Sequence, residues 1–441
     1  MNTGIRFYDV HCHAMNLSHP NFLLFVKRML CAGTRSIDDW KVFLHLVNLA
    51  RQKPGRNCRI LNLVSVMERD CSELLKLMEN DLKILREENK LHVERQNIGS
   101  VVLTPLMVDF GRKDLDGSTY PGIYYNTLSR KPIRDQVDDL FDGIRDFRKS
   151  AGPERFLEVF PFLGLNTANY SLESSENSIG LRQLLHKYFS EFTKGEGDQR
   201  RRDLSNSSGT FSEEGEGLSY SCTGIKVYPP LGFDPWPEAG AGWKKGERAE
   251  ARKKRGQEQE KVEYLYRFCA DRDIPITAHC NDGGFMSGKV PLEKFTAPAQ
   301  WRHVVERFPK LKLNLAHFGR QDRWCSQLKH YAGLETSWQE EIVELLLDKD
   351  KHVYSDFSFI GASAAWYKEL RKLLDKYKHD PESTARLRSR ILFGSDFMIN
   401  LLATESYKRY VEQFLGTGKL YEEEKSAFCS TNPEGFLFGT T

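Results

Sequence analysis

The sequence predicts a (β/α)8 barrel with inserted loops, a single domain over residues 1–441, and three observations carry that expectation. Nine strand candidates alternate with helices along one continuous stretch, the pattern of a parallel sheet with crossover helices. No linker separates two halves. Every candidate chemical side chain falls at the C-terminal end of a strand, where barrels keep their working residues, which favours a barrel with one surplus strand over an open doubly wound sheet.

The first strand lies in Arg6 to Met15, RFYDVHCHAM, and ends in His11-Cys12-His13. Side chains alternate along a strand, so His11 and His13 share one face while Val10 and Cys12 take the other. Residues 21–50 carry apolar side chains at helical spacing, broken near Gly33, and read as two helices. Residues 59–66 form an apolar run rich in β-formers, the candidate for the surplus strand. Residues 72–96 read as a long charged helix, with Leu74, Leu75, Met78, Leu82 and Leu85 inward. A strand over 100–108 ends at Asp109, and 109–131, with four glycines and prolines among its tyrosines, reads as a long ordered loop. An amphipathic helix at 136–148 and a buried strand at 156–165 follow.

Residues 194–218 are rich in Gly, Ser, Glu and Arg and almost without apolar residues. Such a stretch buries too little surface to offset its ordering entropy, so it is expected to be mobile. Residues 242–261 interleave lysines and arginines with glutamates and read as a second insertion, a solvated helix face. Further strands are expected at 222–230, 275–279, 311–317, 352–359 and 391–396. Between and after them come helices at 264–270, 301–308, 338–347, 364–377, 384–389, 405–415 and 421–429.

Composition narrows the function classes. Lysine and arginine number 64 against 61 aspartates and glutamates, so there is no global reason to expect nucleic acid or an anionic membrane as partner. No apolar run reaches the roughly 18 to 20 residues of a membrane helix. The first strand begins within six residues of the start, and nine cysteines are scattered without a CxxC pair. These features read as a cytoplasmic chain with reduced thiols. The expected partner is a small-molecule substrate, and the sequence leaves a homo-oligomer open.

The polar strand ends are the functional signal. His11 and His13 end the first strand, Lys226 lies near the end of GIKVYPP, His279 ends ITAHC, His317 ends LNLAH and Asp396 ends ILFGSD. Four histidines, a lysine and an aspartate at one depth form a candidate metal site. Tyr228, Asn281, Asp282, Arg320 and Arg323 lie just beyond the strand ends as candidate substrate contacts. Arg320 is the candidate clamp for a carboxylate or phosphate, because its planar fork pairs both oxygens. Gly283-Gly284 reads as a turn.

With these residues in place the chain resembles the amidohydrolase superfamily of metal-dependent (β/α)8 barrels. The likeness runs from Asp9-Val10-His11-Cys12-His13 to Gly394-Ser395-Asp396, and then covers the Asn432-Pro433 to Leu437-Phe438 ending. Gly224 to Pro230 and Ala316-His317-Phe318-Gly319 look most like the branch that contains decarboxylases such as aminocarboxymuconate semialdehyde decarboxylase. The resemblance implies that His11, His13, His279 and Asp396 bind a divalent metal, and three imidazoles with a carboxylate suit zinc. It also implies that Asp396 holds the nucleophile and takes its proton. In two-metal members a lysine at the place of Lys226 is carbamylated and bridges the ions, and His279 and His317 belong to the second. In one-metal members the residue at His317 acts as acid/base or steers substrate, and Lys226 becomes a cation facing it. Three readings follow: a hydrolase of an amide, ester or lactone-type bond, a decarboxylase or lyase on the same framework, and a metal-holding scaffold whose insertions bind partners.

Overall fold

The computed structural model describes residues 4–19, 58–110, 133–152, 155–176, 178–190, 192, 196–207, 221–238, 249–284, 295–321 and 337–439. The helices expected within 21–50, most of the loop expected over 109–131, and Arg323 lie outside the described residues, as do 208–218 and 242–248 of the two insertions.

The strands are β1 (Ile5–Cys12), β2 (His92–Val93), β3 (Gln96–Pro105), β4 (Leu157–Val159), β5 (Phe162–Gly164), β6 (Gly224–Val227), β7 (Ile276–Ala278), β8 (Leu313–Leu315), β9 (Val353–Asp356) and β10 (Ile391–Leu392). All pairings are parallel except that of β2 with β3. From β5 to β10 neighbours in sequence are neighbours in the sheet, while β3 lies between β1 and β4. Bridges between Leu106 and Phe162 and between Cys12 and Phe397 join the two sheets. The amide of Val10 adds a bond to the carbonyl of Phe393 (3.1 Å). The ring is therefore closed: β1, β3, β4 continuing into β5, β6, β7, β8, β9 and β10, eight positions in all, a (β/α)8 barrel.

The expected strand at 156–165 is split into β4 and β5 at Phe160-Pro161, where proline has no amide hydrogen for the ladder. The surplus-strand expectation for 59–66 is corrected, because that run lies in helix α1 (Cys58–Met67). Leu63 and Met67 are both fully buried, the i, i+4 pair of one helix face. The short extra strand is instead β2, joined to β3 through Glu94 and Arg95, both at positive φ (51° and 63°), the backbone of a tight hairpin turn. That hairpin also shortens the long helix expected over 72–96. As α2 it spans Cys71–Glu87, with Asp70 capping the amide of Glu73.

Helix α3 (Ile133–Ala151) packs on α2, and α4 (Leu181–Phe189) follows β5. Within the insertion expected over 194–218, residues 197–207 form helix α5 (Gly197–Ser207). Leu204 is fully buried, Arg200 pairs with Asp273 at 2.9 Å, and Arg201 bonds Glu158. Ion pairs at the foot of the barrel hold this helix where an apolar stripe is missing. The charged segment at 242–261 enters α6 (Ala249–Arg272), whose first turns are exposed and whose Lys261 is buried, donating to the carbonyls of Thr167 and Tyr170 (both 2.9 Å). Helices α7 (Pro298–Arg307), α8 (Trp338–Leu347), α9 (Ala364–Lys376), α10 (Pro381–Ser389), α11 (Tyr407–Gly416) and α12 (Glu422–Ser426) complete the outer layer.

Helix α13 (Asn432–Phe438) lies under the N-terminal ends of the strands. Its Phe436, Leu437 and Phe438 are fully buried, and Phe438 meets Phe160 and Tyr8 with ring centroids 5.1 and 6.5 Å away. Arg6 at the start of β1 pairs with Glu434 (2.8 Å), and Lys312 before β8 donates to the carbonyl of Gly435 (3.1 Å). This end of the barrel is sealed, which leaves chemistry to the other. Among the described residues no helix is long and apolar enough to cross a membrane.

Candidate metal centre

At the opposite mouth β1 slips by one residue against β3. Asp9 pairs with Leu103 and Cys12 with Pro105, so three steps on one strand oppose two on the other. Such a bulge re-aims the side chains beyond it. Here His11 within it and His13 just after it both reach Asp396: the carboxylate Oδ1 lies 3.4 Å from Nε2 of His11 and 3.1 Å from Nε2 of His13. Gly394 makes room for this, since a Cβ there would stand 2.6 Å from that of His11.

The other ring nitrogens decide the tautomers. Nδ1 of His13 lies 2.8 Å from the carbonyl of Leu106, which only accepts, and Nδ1 of His11 lies 3.0 Å from Oδ2 of Asp356. Both Nδ1 atoms therefore carry the hydrogen, and both Nε2 lone pairs face Asp396. Burial lowers the pKa of His11 to about 3, helped by the nearby charge of Lys226. Burial alone raises a carboxyl, yet the adjacent His13, His11 and His317 hold Asp396 below the usual carboxylate range. The result is two imidazole Nε2 atoms and one carboxylate oxygen converging on a point.

Across the mouth His317 and His279 form a second pair, with Nε2 of His317 3.1 Å from Nδ1 of His279. Nδ1 of His317 lies 3.2 Å from the carbonyl of Ser358, and Nε2 of His279 lies 3.3 Å from that of Gly283. Burial holds both imidazoles below their ordinary pKa, so the pair has two hydrogens for three contacts. With the outer contacts satisfied, two lone pairs face each other at 3.1 Å, an arrangement completed by a cation.

These spacings fit a metal. Donors about 2.0 to 2.2 Å from a tetrahedral ion are roughly 3.3 Å apart, and the three distances above are 3.1, 3.4 and 3.1 Å. Among the described residues two triads place their donor atoms within 4.8 Å of one another: His11, His13 and Asp396, and His11, His317 and Asp356. His279 belongs to neither, and joins the cluster through His317.

Lys226 stands at the centre, 1% exposed, with Nζ 3.4 Å from Nε2 of His11. Burial lowers its pKa to about 8 against the opposing pull of Asp356 and Asp396. In register beside it come Thr277 on β7 and Asn314 on β8, a polar layer inside the barrel. The amide of Asn314 donates to Thr277 (3.3 Å) and to Asp356 (2.7 Å).

The candidate substrate contacts are placed unevenly. Tyr228 lays its ring 4.6 Å from that of His279. Asn281 uses its side-chain oxygen to accept from the amide of Gly283 (2.8 Å), which fixes the turn after β7. The backbone of Arg320 ties that turn to the end of β8, bonding Asp282 (3.2 Å) and His317 (3.1 Å), and its side chain is partly exposed.

Sequence reasoning missed Asp356, Ser358 and Asn314. The first two follow the rule that exposed the others, a polar residue at the end of a strand, in Tyr354-Ser355-Asp356-Phe357-Ser358. Backbone strain concentrates at these same strand ends. His317, Phe318, Phe359 and Asp396 all have positive φ, between 49° and 65°, a conformation that costs a non-glycine residue about 1 to 3 kcal/mol and gathers at functional sites.

The family model described as Amidohydrolase matches residues 217–439, just over half of the chain, and the protein belongs to that family of metal-dependent enzymes. No curated protein sequence matches. Similar solved structures include 5-carboxyvanillate decarboxylase from Novosphingobium aromaticivorans with manganese and 4-hydroxy-3-methoxy-5-nitrobenzoic acid, at 11% identity and TM-score 0.42, covering 98% of this chain and 96% of that one. An amidohydrolase from Burkholderia multivorans with bound zinc has 12% identity and TM-score 0.41, covering 86% and 92%. Amidohydrolase 2 from Bifidobacterium longum subsp. infantis has 10% identity and TM-score 0.40, covering 98% of each chain. All three scores are below one half, and none assigns chemistry to this chain.

Proposed function

We propose that this chain is a metal-dependent hydrolase that cleaves an amide, ester or lactone-type bond of a small molecule. The observation that carries the reading is the convergence of the Nε2 atoms of His11 and His13 on Oδ1 of Asp396, facing the His317 and His279 pair. His11, His13 and Asp396 would hold a divalent ion there, zinc by the chemistry of the donors, which would supply a water of pKa about 7 and polarisation of the bond under attack. Asp396, held below the usual carboxylate range beside His13, His11 and His317, offers a carboxylate oxygen to accept the proton from the attacking water. His317, with the Nε2 lone pair turned toward His279, is placed to steer the substrate or to take up a proton and hand it to the leaving group. Tyr228 shapes the wall beside His279, and Arg320 at the rim offers a fork to an anionic substrate group.

Lys226 separates one metal from two. Its buried Nζ beside His11 suits a carbamate formed with carbon dioxide, in which the amine nitrogen bonds the carbon and releases a proton. That carbamate would bridge two ions, with His279 and His317 serving the second. A second reading rests on the same atom left as an ammonium, a cation at the barrel mouth that suits a carboxylated substrate and a decarboxylase or lyase.

Elemental analysis of the purified chain tests the metal reading. About two ions per chain, falling in Lys226→Ala, supports the bridged hydrolase, and about one in both supports the decarboxylase. No bound ion after incubation with zinc or manganese removes both. His11→Ala and Asp396→Asn are each expected to abolish turnover of amide, ester and lactone panels. Full turnover by either variant rules the mechanism out.

A further inference from the structure

Asp356 and Ser358, at the end of β9, touch the metal centre from behind. Oδ2 of Asp356 lies 3.0 Å from Nδ1 of His11 and accepts from the amide of Asn314 at 2.7 Å. Oδ1 accepts from the backbone amides of Ser358 (3.0 Å) and His317 (3.2 Å) and from the hydroxyl of Ser358. That hydroxyl in turn lies 3.0 Å from Nδ1 of His11 and 3.0 Å from Nδ1 of His317. Both residues are fully buried.

Where this unit meets the imidazole rings, it meets them at Nδ1. A fully buried carboxylate with donors on both oxygens has its lone pairs engaged, so it is built to accept hydrogen bonds and not to ligate. Ser358 gives its hydrogen to Asp356 and so presents only lone pairs to the two rings. Each ring is thereby made to carry its hydrogen on Nδ1 and keep Nε2 for the centre. The amide of His317, held by Asp356, also fixes the positive-φ backbone that swings this histidine inward.

We infer that Asp356 and Ser358 are positioning residues that set the tautomer and orientation of His11 and His317 for metal binding. The inference rests on the metal reading proposed above. Partners of this kind are worth about 10- to 100-fold in metal affinity. The substitution Asp356→Asn keeps size and shape but turns one acceptor into a donor, which must face His11 Nδ1 or the Ser358 and His317 donors. It is unfavourable either way.

The test is the affinity of the metal-stripped full chain for cobalt(II), measured by chelator competition, together with the visible spectrum of the bound ion and the thermal midpoint of the stripped protein. Asp356→Asn is expected to bind about 10- to 100-fold more weakly, with the wild-type cobalt spectrum at saturation and a folded stripped state. Ser358→Ala is expected to lose about tenfold, and it carries the test if Asp356→Asn fails to fold. Affinity within twofold of wild type in the folded variants overturns the inference while leaving the metal reading intact. A cobalt spectrum of altered coordination in Asp356→Asn also overturns it, since Asp356 would then be a ligand. A wild type that binds no cobalt removes the metal reading itself, and the inference with it.

Discussion

Gly284 shows how little room the centre leaves. It has φ of 97°, and a Cβ there would stand 2.4 Å from the hydroxyl of Tyr228 and 2.9 Å from Nε2 of His279. Only glycine takes that backbone without strain, and the neighbours it would strike are a fixed ring and a candidate ligand. Gly284→Ala is therefore expected to lower stability by about 1 to 3 kcal/mol and to weaken metal binding by displacing His279. A urea titration together with cobalt binding measures both. Unchanged affinity would mean that His279 is not a ligand. The site residues legible in the sequence were those whose type is unusual at a strand end, such as His11, His13, Lys226, His279, His317 and Asp396. Asp356 sat in the same position, but a serine and an aspartate within a strand end are common. Only the closed ring brings the end of β9, one strand beyond β10, within reach of β1, where Asp356 meets His11 at 3.0 Å.

Elements divide by whether their apolar spacing has a clear period. The eight barrel positions were legible as short apolar runs ending in polar residues. Residues 59–66 were not, because Ile60, Leu61, Leu63, Val64 and Val66 give a nearly continuous run that fits helix or strand. Helix α5 was missed for another reason: with Leu204 as its buried apolar anchor, it is held by Arg200 and Arg201 to Asp273 and Glu158, partners far away in sequence. The sealing helix α13 makes a prediction at this scale. Phe438 is fully buried against Phe160 and Tyr8, and deleting such a ring costs about 3 to 5 kcal/mol. Phe438→Ala is expected to lower the denaturation midpoint by that equivalent and to leave cobalt affinity unchanged, because the N-terminal face of a barrel serves stability and the opposite face chemistry. Loss of affinity in a folded variant would couple the two ends and contradict that division.

For the molecule as a whole, the centre links stability, pH and metal. Burial lowers the pKa of His11 to about 3 and holds His279 and His317 below the ordinary value of 6.5. Below pH 6.5 the unfolded chain takes up protons that the folded metal-free chain refuses. The contribution of these histidines is full above 6.5 and is lost as pH falls toward their folded values, at about 1.4 kcal/mol per pH unit for each. Asp9 works in the other direction. Burial raises its pKa to about 7, against hydrogen bonds from Ser395 and His11, so its contribution is full below about 4 and is lost as pH rises through 7. Three histidines outweigh one aspartate, and the metal-free chain is expected to lose stability from pH 6.5 downward. A bound ion adds RT ln(1 + [L]/Kd), about 2.7 kcal/mol at a hundredfold excess over Kd, but it needs the same nitrogens unprotonated. The gap between the thermal midpoints of the loaded and chelator-stripped protein should therefore persist as pH falls from 7.5 to 5, because the folded chain keeps these nitrogens unprotonated, and close only toward pH 3, where His11 takes up its proton. A gap already closed at pH 5 would mean that the ion sits on groups that protonate more readily than these histidines.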